Sequence, residues 1–240
     1  MYDIYIFDLD GTLLDTLGDL ASSVNHALAV HGLPAIGQAD VRRFVGNGVA
    51  NLIDRSTALA RHSAGTTAAV CAAEVLATFK EHYSSHNQDL TAPYPGVTDM
   101  LRRLKARGAT TAVVSNKFDA ATKNLCHHYF AGLIDVAVGE SEGVRRKPAP
   151  DTVVRALKEI GLSLSSGGTG EYAVVSSVSD ISPRGGDALS AVYIGDSDTD
   201  ILTARNCHLP CISVLWGFRD RAFLTEHGAY SFAATAEDIE

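Results

Sequence analysis

The sequence predicts an α/β protein, a doubly wound parallel sheet with a small all-helical segment inserted into it. Three observations support this. Apolar runs of strand length alternate with segments of helical period. The alternation is broken once, by a long stretch of helical patterns. Carboxylates gather just after two of the apolar runs, where strands of open α/β sheets present ligand-binding groups. A chain of 240 residues with 46% hydrophobic content is long enough for one large domain and a smaller inserted one.

The first apolar run is Ile4 to Leu9. Between Leu17 and His86 only helical patterns follow, such as Leu20, Val24, Ala27, Leu28 and then Val70, Glu74, Ala77, Glu81. This reads as a helical cap over 17–92, inserted into a core of 1–16 and 93–240. The outward crossing is expected near Thr16. The return runs through Ala92–Pro93–Tyr94–Pro95–Gly96, where two prolines forbid a continuing helix and stiffen a hinge. The later strand runs are Thr110 to Ser115, Ile134 to Val138, Ala191 to Ile194 and Cys211 to Leu215, each preceded by a helix or loop pattern. That order implies parallel strands covered by helices on both faces. The stretch 163–187, rich in Ser and Gly, reads as an insertion in the core. It forms either a surface loop or, through the β-branched residues of Glu171 to Asp180, a hairpin.

A formal net charge of -8 argues against nucleic acid or an anionic membrane surface as partner. No apolar run approaches about 18 residues and the amino end leads directly into a strand, so a cytoplasmic location is expected. The four cysteines contain no C-x-x-C pair and are expected as free thiols. His82 and His86 have the i, i+4 spacing of a zinc helix, but the segment HYSSH lacks the glutamate of H-E-x-x-H, so no metal is expected there. A monomer or homodimer is compatible with all of this.

Asp8–Leu9–Asp10–Gly11–Thr12 ends the first strand with two carboxylates, a poor residue type for a strand. Alone it could equally be a D-G turn. Gly195–Asp196–Ser197–Asp198–Thr199–Asp200 follows another apolar run in the same way. A calcium loop starting at Asp196 would need Gly at position six and Glu at twelve, where Ile201 and Cys207 stand. If Asp8, Asp10, Asp196 and Asp200 converge, each pair about 4 Å apart repels by roughly 4 kcal/mol at an effective dielectric near 20. Such a cluster requires a cation, and an all-oxygen set that must also admit phosphate favours Mg²⁺. Ser115–Asn116 ends a third strand with a hydroxyl and amides suited to phosphate oxygens, and Lys147 precedes a rigid Pro148–Ala149–Pro150 segment. Taken singly, each of these also reads as an ordinary surface feature.

In order, D-x-D-G-T, then Ser, then Lys, then G-D-x-x-x-D resembles the haloacid-dehalogenase superfamily across essentially the whole chain, with a Rossmann-like core and the helical cap of its first subclass. Leu14–Asp15–Thr16, Phe44 to Gly48, Ser115–Asn116–Lys117 and Trp216 to Asp220 resemble the phosphoglycolate phosphatases within it. The 163–187 stretch departs from that pattern, which there has only a few residues.

The resemblance implies a phosphatase in which Asp8 attacks phosphorus to give an aspartyl-phosphate. Asp10 would protonate the leaving alkoxide and then deprotonate the attacking water. Mg²⁺ would be held by Asp8, the backbone carbonyl of Asp10 and Asp196, with Asp200 bound directly or through water. Lys147 would stabilise Asp8 and the transferring group, with Thr12, Ser115 and Asn116 completing a phosphate cradle. The expected substrate is a small anionic phosphate ester, 2-phosphoglycolate first, whose carboxylate would be met by Lys117, Arg42, Arg43 and the Gly46–Asn47–Gly48 turn. A phosphomutase shares this constellation. A dehalogenase would have no use for Asp10, Asp196 and Asp200, and a phospho-Asp signalling module would carry no helical cap.

Overall fold

The computed structural model describes residues 1–65, 70–166, 172–176 and 189–239. From the amino end these form β1 (Ile4–Phe7), β2 (Leu14–Asp15), α1 (Leu17–Val30), α2 (Gln38–Phe44), α3 (Val49–Ser63), α4 (Ala72–Ser85) and β3 (Ala92–Pro93). There follow α5 (Val97–Ala106), β4 (Thr110–Phe118), α6 (Asp119–Phe130), β5 (Val136–Glu140) and α7 (Asp151–Glu159). The remainder is β6 (Leu162–Ser166), β7 (Tyr172–Ser176), β8 (Ala191–Gly195), α8 (Asp198–Asn206), β9 (Cys211–Val214), α9 (Arg221–Glu226) and β10 (Phe232–Ala233). Two compact units result. One joins Met1–Leu13 to Pro93–Glu240, and the other is Leu14–Ala92.

The first unit is built on a six-stranded parallel sheet in the order β10-β9-β8-β1-β4-β5. The chain leaves β1 toward β4 on one side and later returns to β8 on the other, so the strand order reverses at β1. Ligands in such sheets bind outside the carboxyl ends at that switch point. The apolar run of β1 is continuous because both its faces are covered. Ile4 and Ile6 join Val114, Val138, Val153 and Leu157 on one face. Tyr5 and Phe7, equally buried, project to the other with rings 6.3 Å apart.

Three boundaries differ from expectation. β4 continues three residues past Ser115 to Phe118, with a register shift between Val114 and Phe118, because its polar end is buried in a polar site rather than released to solvent. β5 starts at Val136, after Asp135 has turned to accept Thr111 N at 2.8 Å. β10 is new, and at two residues it is too short to make an apolar run.

In the 163–187 stretch, residues 167–171 and 177–187 lie outside the described ones. The rest forms an antiparallel ladder from Leu162↔Ser176 to Ser166↔Tyr172. The β-branched run is therefore a second strand, and its partner precedes it. Leu162 and Leu164 alternate onto the core below β8, which gives β6 its register.

The helical unit buries Leu20, Val24, Ala27 and Leu28 of α1, as their spacing predicts. In α4 the buried stripe is Val75, Phe79 and Tyr83, whereas Glu74, Ala77 and Glu81 of the expected row are exposed. The helix is as expected with the opposite face inward, since two aromatics bury more apolar area than alanine and glutamate stems. Asp19 is buried and accepts hydrogen bonds from Leu90 N, Thr91 N and Thr91 Oγ1 at 2.9, 2.9 and 2.7 Å. His82 and His86 stack face to face at 4.2 Å, which aims their nitrogens alongside one another rather than at a common point. All four cysteines are free. No helix among the described residues is long and apolar enough to cross a membrane.

Candidate active site

β1 delivers Asp8 to the carboxyl edge of the sheet, where its backbone N–H still bonds Ile194 O at 2.9 Å on β8. The chain then turns back on Leu9 through Thr12 and Leu13. Gly11, at φ 85°, makes that turn, and a side chain there would also run into the Asp196 carboxylate. β8 delivers Asp196, and Ser197 caps α8 in a reciprocal capping box with Asp200. The box fixes one oxygen of Asp200, which takes both Ser197 N and Ser197 Oγ. Asp196 Oδ2 accepts the Phe218 amide at 2.6 Å, and Gly217 has no room for a Cβ because Asp196 and Gly11 O stand there.

From the other side, β4 supplies Ser115, Asn116 and Lys117, all buried. The Asn116 side chain bridges both backbone groups of Lys147, giving Nδ2–H to its carbonyl at 3.0 Å and taking its N–H at 2.8 Å. This pins the loop ahead of α7. The Lys147 ammonium then lies 2.8 Å from Asp8 Oδ1 and 2.8 Å from Asp200 Oδ1. Tyr193 Oη is 3.1 Å away. Lys117 Nζ pairs separately with Asp10 Oδ1 at 3.0 Å.

Ligand oxygens of Asp8, Asp196 and Asp200 lie within 4.8 Å of one another. Burial, then the neighbouring Asp200 charge, push Asp8 well above the usual carboxylate range, and Lys147 only partly offsets this. The same two causes raise Asp196 to about 7, against the Phe218 amide, Arg219 and Lys147. Burial alone would lower Lys147, but Asp200 and Asp8 outweigh it and hold the ammonium charged. Four carboxylates facing two ammonium groups leave an excess of negative charge even before an anionic substrate arrives. A hard cation with oxygen preference fits this donor set. Asp200 is saturated, because its four acceptor positions take Lys147, Tyr193, Ser197 N and Ser197 Oγ. Asp8 Oδ2 and Asp196 Oδ1 carry no hydrogen bond from the described residues and are the carboxylate oxygens open to a metal.

Residues 5–166 match the family described as haloacid dehalogenase-like hydrolase, and 144–240 match a second, HAD-hydrolase-like description. The chain belongs to the haloacid dehalogenase-like hydrolases. The phosphoglycolate phosphatase of Mesorhizobium japonicum is 34% identical over 91% of this chain and 85% of its own. That of Yersinia pseudotuberculosis is 30% identical over 92% and 84%. A solved structure from Lactobacillus delbrueckii, a proposed phosphoglycolate phosphatase, superposes with TM-score 0.81 and 36% identity over 99% of this chain and 96% of that one. The parallel sheet with its flanking helices is the fold of this hydrolase family.

Within that family frame, the residues expected at the site separate into groups. Asp8, Asp196, Asp200 and Lys147 meet in one cluster. The Asp10 carboxylate, expected as acid and base, pairs with Lys117. Lys117, expected to await a substrate carboxylate, is buried against Asp10, and the Asn116 side chain, expected on phosphate, holds Lys147. Ser115 Oγ accepts Lys117 N at 3.2 Å. Thr12 Oγ1 is buried with no hydrogen-bond partner among the described residues. Arg42, Arg43, Gly46, Asn47 and Gly48 belong to the helical unit, at the end of α2 and before α3. Arg43 pairs there with Asp40. Tyr193 had no signal of its own in the sequence, since a strand tyrosine reads as core, and the Trp216 to Asp220 segment carried the resemblance without showing that Gly217 and the Phe218 amide pack on Asp196.

Proposed function

We propose that the chain is a magnesium-dependent phosphatase that hydrolyses a small phosphate monoester through an aspartyl-phosphate on Asp8, with 2-phosphoglycolate the leading substrate. The observation that carries it is Asp8 held at the sheet's switch point between Lys147 and the Asp196–Asp200 pair, with one carboxylate oxygen open. The names of the relatives support the substrate.

Asp8 attacks phosphorus as the bond to the ester oxygen breaks, and that oxygen leaves with the electron pair. Asp10, held at Oδ1 by Lys117, supplies the proton from Oδ2 to the departing alkoxide. It then takes a proton from water at the same atom, and the hydroxide displaces Asp8 from phosphorus. Lys147 favours the charged form of Asp8, partly offsetting burial and Asp200, and faces the charge that develops on the phosphoryl group. Thr12 Oγ1 and Ser115 Oγ bind phosphoryl oxygens. Asp8 and Asp196, with the backbone carbonyl of Asp10, would hold Mg²⁺, which when bound neutralises charge on nucleophile and phosphate. Asp200, whose four acceptor positions are already taken, acts on Lys147 and would contribute to a bound Mg²⁺ through water.

Lys117, which pairs with Asp10 through one of its three N–H groups, is the first candidate for the substrate carboxylate, followed by Arg42, Arg43 and the Gly46–Asn47–Gly48 turn. A panel of phosphate monoesters assayed with Mg²⁺ and with EDTA tests the reading. Turnover led by phosphoglycolate and abolished by EDTA is expected, together with a beryllium fluoride adduct on Asp8. Metal-independent turnover, or an adduct on another carboxylate, overturns it.

A further inference from the structure

Tyr193 lies in the middle of β8, opposite Ile6 of β1, fully buried in the apolar cluster that also holds Ile4 and Ile201. A phenylalanine would fill the same apolar space, and a hydroxyl buried there is unfavourable unless both its bonding roles are met. Both are met, and only by the charged machinery. Its oxygen accepts Lys147 Nζ at 3.1 Å, and its proton goes to Asp200 Oδ1 at 3.0 Å. Lys147 carries three N–H groups. Two face carboxylates at equal distances of 2.8 Å, Asp8 and Asp200, and Tyr193 takes the third.

We infer that Tyr193 is a positioning residue for the phosphoryl-transfer site: its hydroxyl closes a Lys147–Tyr193–Asp200 triangle that sets where the ammonium sits along the line between Asp8 and Asp200. Two equal carboxylates do not by themselves choose a position for a cation between them. Asp200 cannot move to choose it, being fixed on its other oxygen by the α8 capping box. The third contact, rooted in a rigid strand, makes the choice. Without the hydroxyl, one buried N–H loses its acceptor and one Asp200 lone pair loses its donor. Asp200 Oδ1, having lost the Tyr193 proton, then draws the ammonium toward itself and away from Asp8. Substrate binding residues are untouched, so the effect belongs in kcat.

This inference rests on Asp8 as nucleophile, and two measurements on Tyr193→Phe keep the two readings apart. With an aryl phosphate and saturating Mg²⁺, kcat should fall about tenfold while KM stays within about twofold, the size usual for residues that orient a catalytic group from behind. A crystal structure of the same variant should show Lys147 Nζ beyond hydrogen-bond reach of Asp8 Oδ1, more than about 3.5 Å. Unchanged kcat with Lys147 in place overturns the inference, as does a loss shared equally with KM. If the unaltered protein turns over no ester at all, the phosphatase reading fails, and the lysine's position in the variant crystal still decides this one.

Discussion

Asp19 in the helical unit and Asp8 in the sheet unit are both buried carboxylates, yet their surroundings differ in kind. Asp19 receives three hydrogen bonds from neutral groups of Leu90 and Thr91, close in sequence to each other, and no ion pair among the described residues. It is a satisfied structural anchor. Asp8 accepts one lysine, faces two more carboxylates and keeps an oxygen unengaged. The first arrangement is complete without a ligand, and the second is stable only when a proton or a cation adds positive charge. A buried carboxylate short of donors, rather than a buried carboxylate as such, marks the chemistry.

Replacing Asp8 by Asn should produce the largest effect, a loss of at least about a thousandfold in kcat, because an amide neither attacks phosphorus nor binds a hard cation well. Thermal unfolding should still show one folded protein, since the side chain keeps its size. Retention of a tenth of the activity would put the nucleophile elsewhere and remove the contrast with Asp19.

The pH dependence of the metal-free protein should be the next largest. Asp196 is raised to about 7 from an unfolded value near 3.8, by burial first and Asp200 second. Between those values the folded state binds more protons than the unfolded, so stability in EDTA should fall as pH rises from about 4 to about 7. Mg²⁺ replaces the missing proton and should raise Tm more at pH 8 than at pH 5. Asp119 and Asp135, lowered despite partial burial by hydrogen bonds from Lys123 and Lys105, oppose this trend, but their contribution is lost only as pH falls through the acid end of the range. A Tm in EDTA that stays level or climbs from pH 4 to 7 would show that the cluster needs no added charge.

Asp19→Ala should destabilise the protein by about 2–3 kcal/mol, since the Thr91 amide and hydroxyl are left buried, and the Leu90 amide half-buried, without an acceptor. The loss should be the same with and without Mg²⁺. A metal-dependent difference, read by denaturant unfolding, would show that Asp19 is coupled to the cation after all.

The sequence made this contrast half legible. Asp8 and Asp196 stood out because they end apolar runs, a placement that strand propensity disfavours, and Lys147 because it precedes the rigid Pro148–Ala149–Pro150 segment. The roles of the donors that complete the site did not stand out. Phe218 contributes an amide, Asn116 acts on the Lys147 backbone across 31 residues, and Tyr193 is hidden in an apolar run by its own ring. The sheet was read from period and burial, which a two-residue strand such as β10 cannot display. The helical period of α4 was legible, and which face turns inward follows from Val75, Phe79 and Tyr83.

The smallest effect should come from the β6–β7 stretch, and it carries the comparison inside the sheet unit. The chemistry lies at the carboxyl ends of the strands, whereas this stretch leads into the amino end of β8 at Ala191. Replacing residues 165–187 by a short Gly-Ser linker keeps Leu162 and Leu164 on the core, so kcat should stay within about twofold and stability within about 1 kcal/mol. Extending the replacement back to 162 removes both leucines, each only partly buried, and should lower stability by a further 1–2 kcal/mol or so through lost apolar burial. In that second variant kcat should remain unchanged at temperatures where it is folded. A fall in kcat that tracks the leucines would mean that packing at the amino ends is transmitted along β8 to Tyr193 and Asp196. A fall already present in the first variant would mean that the insertion itself reaches the carboxyl edge.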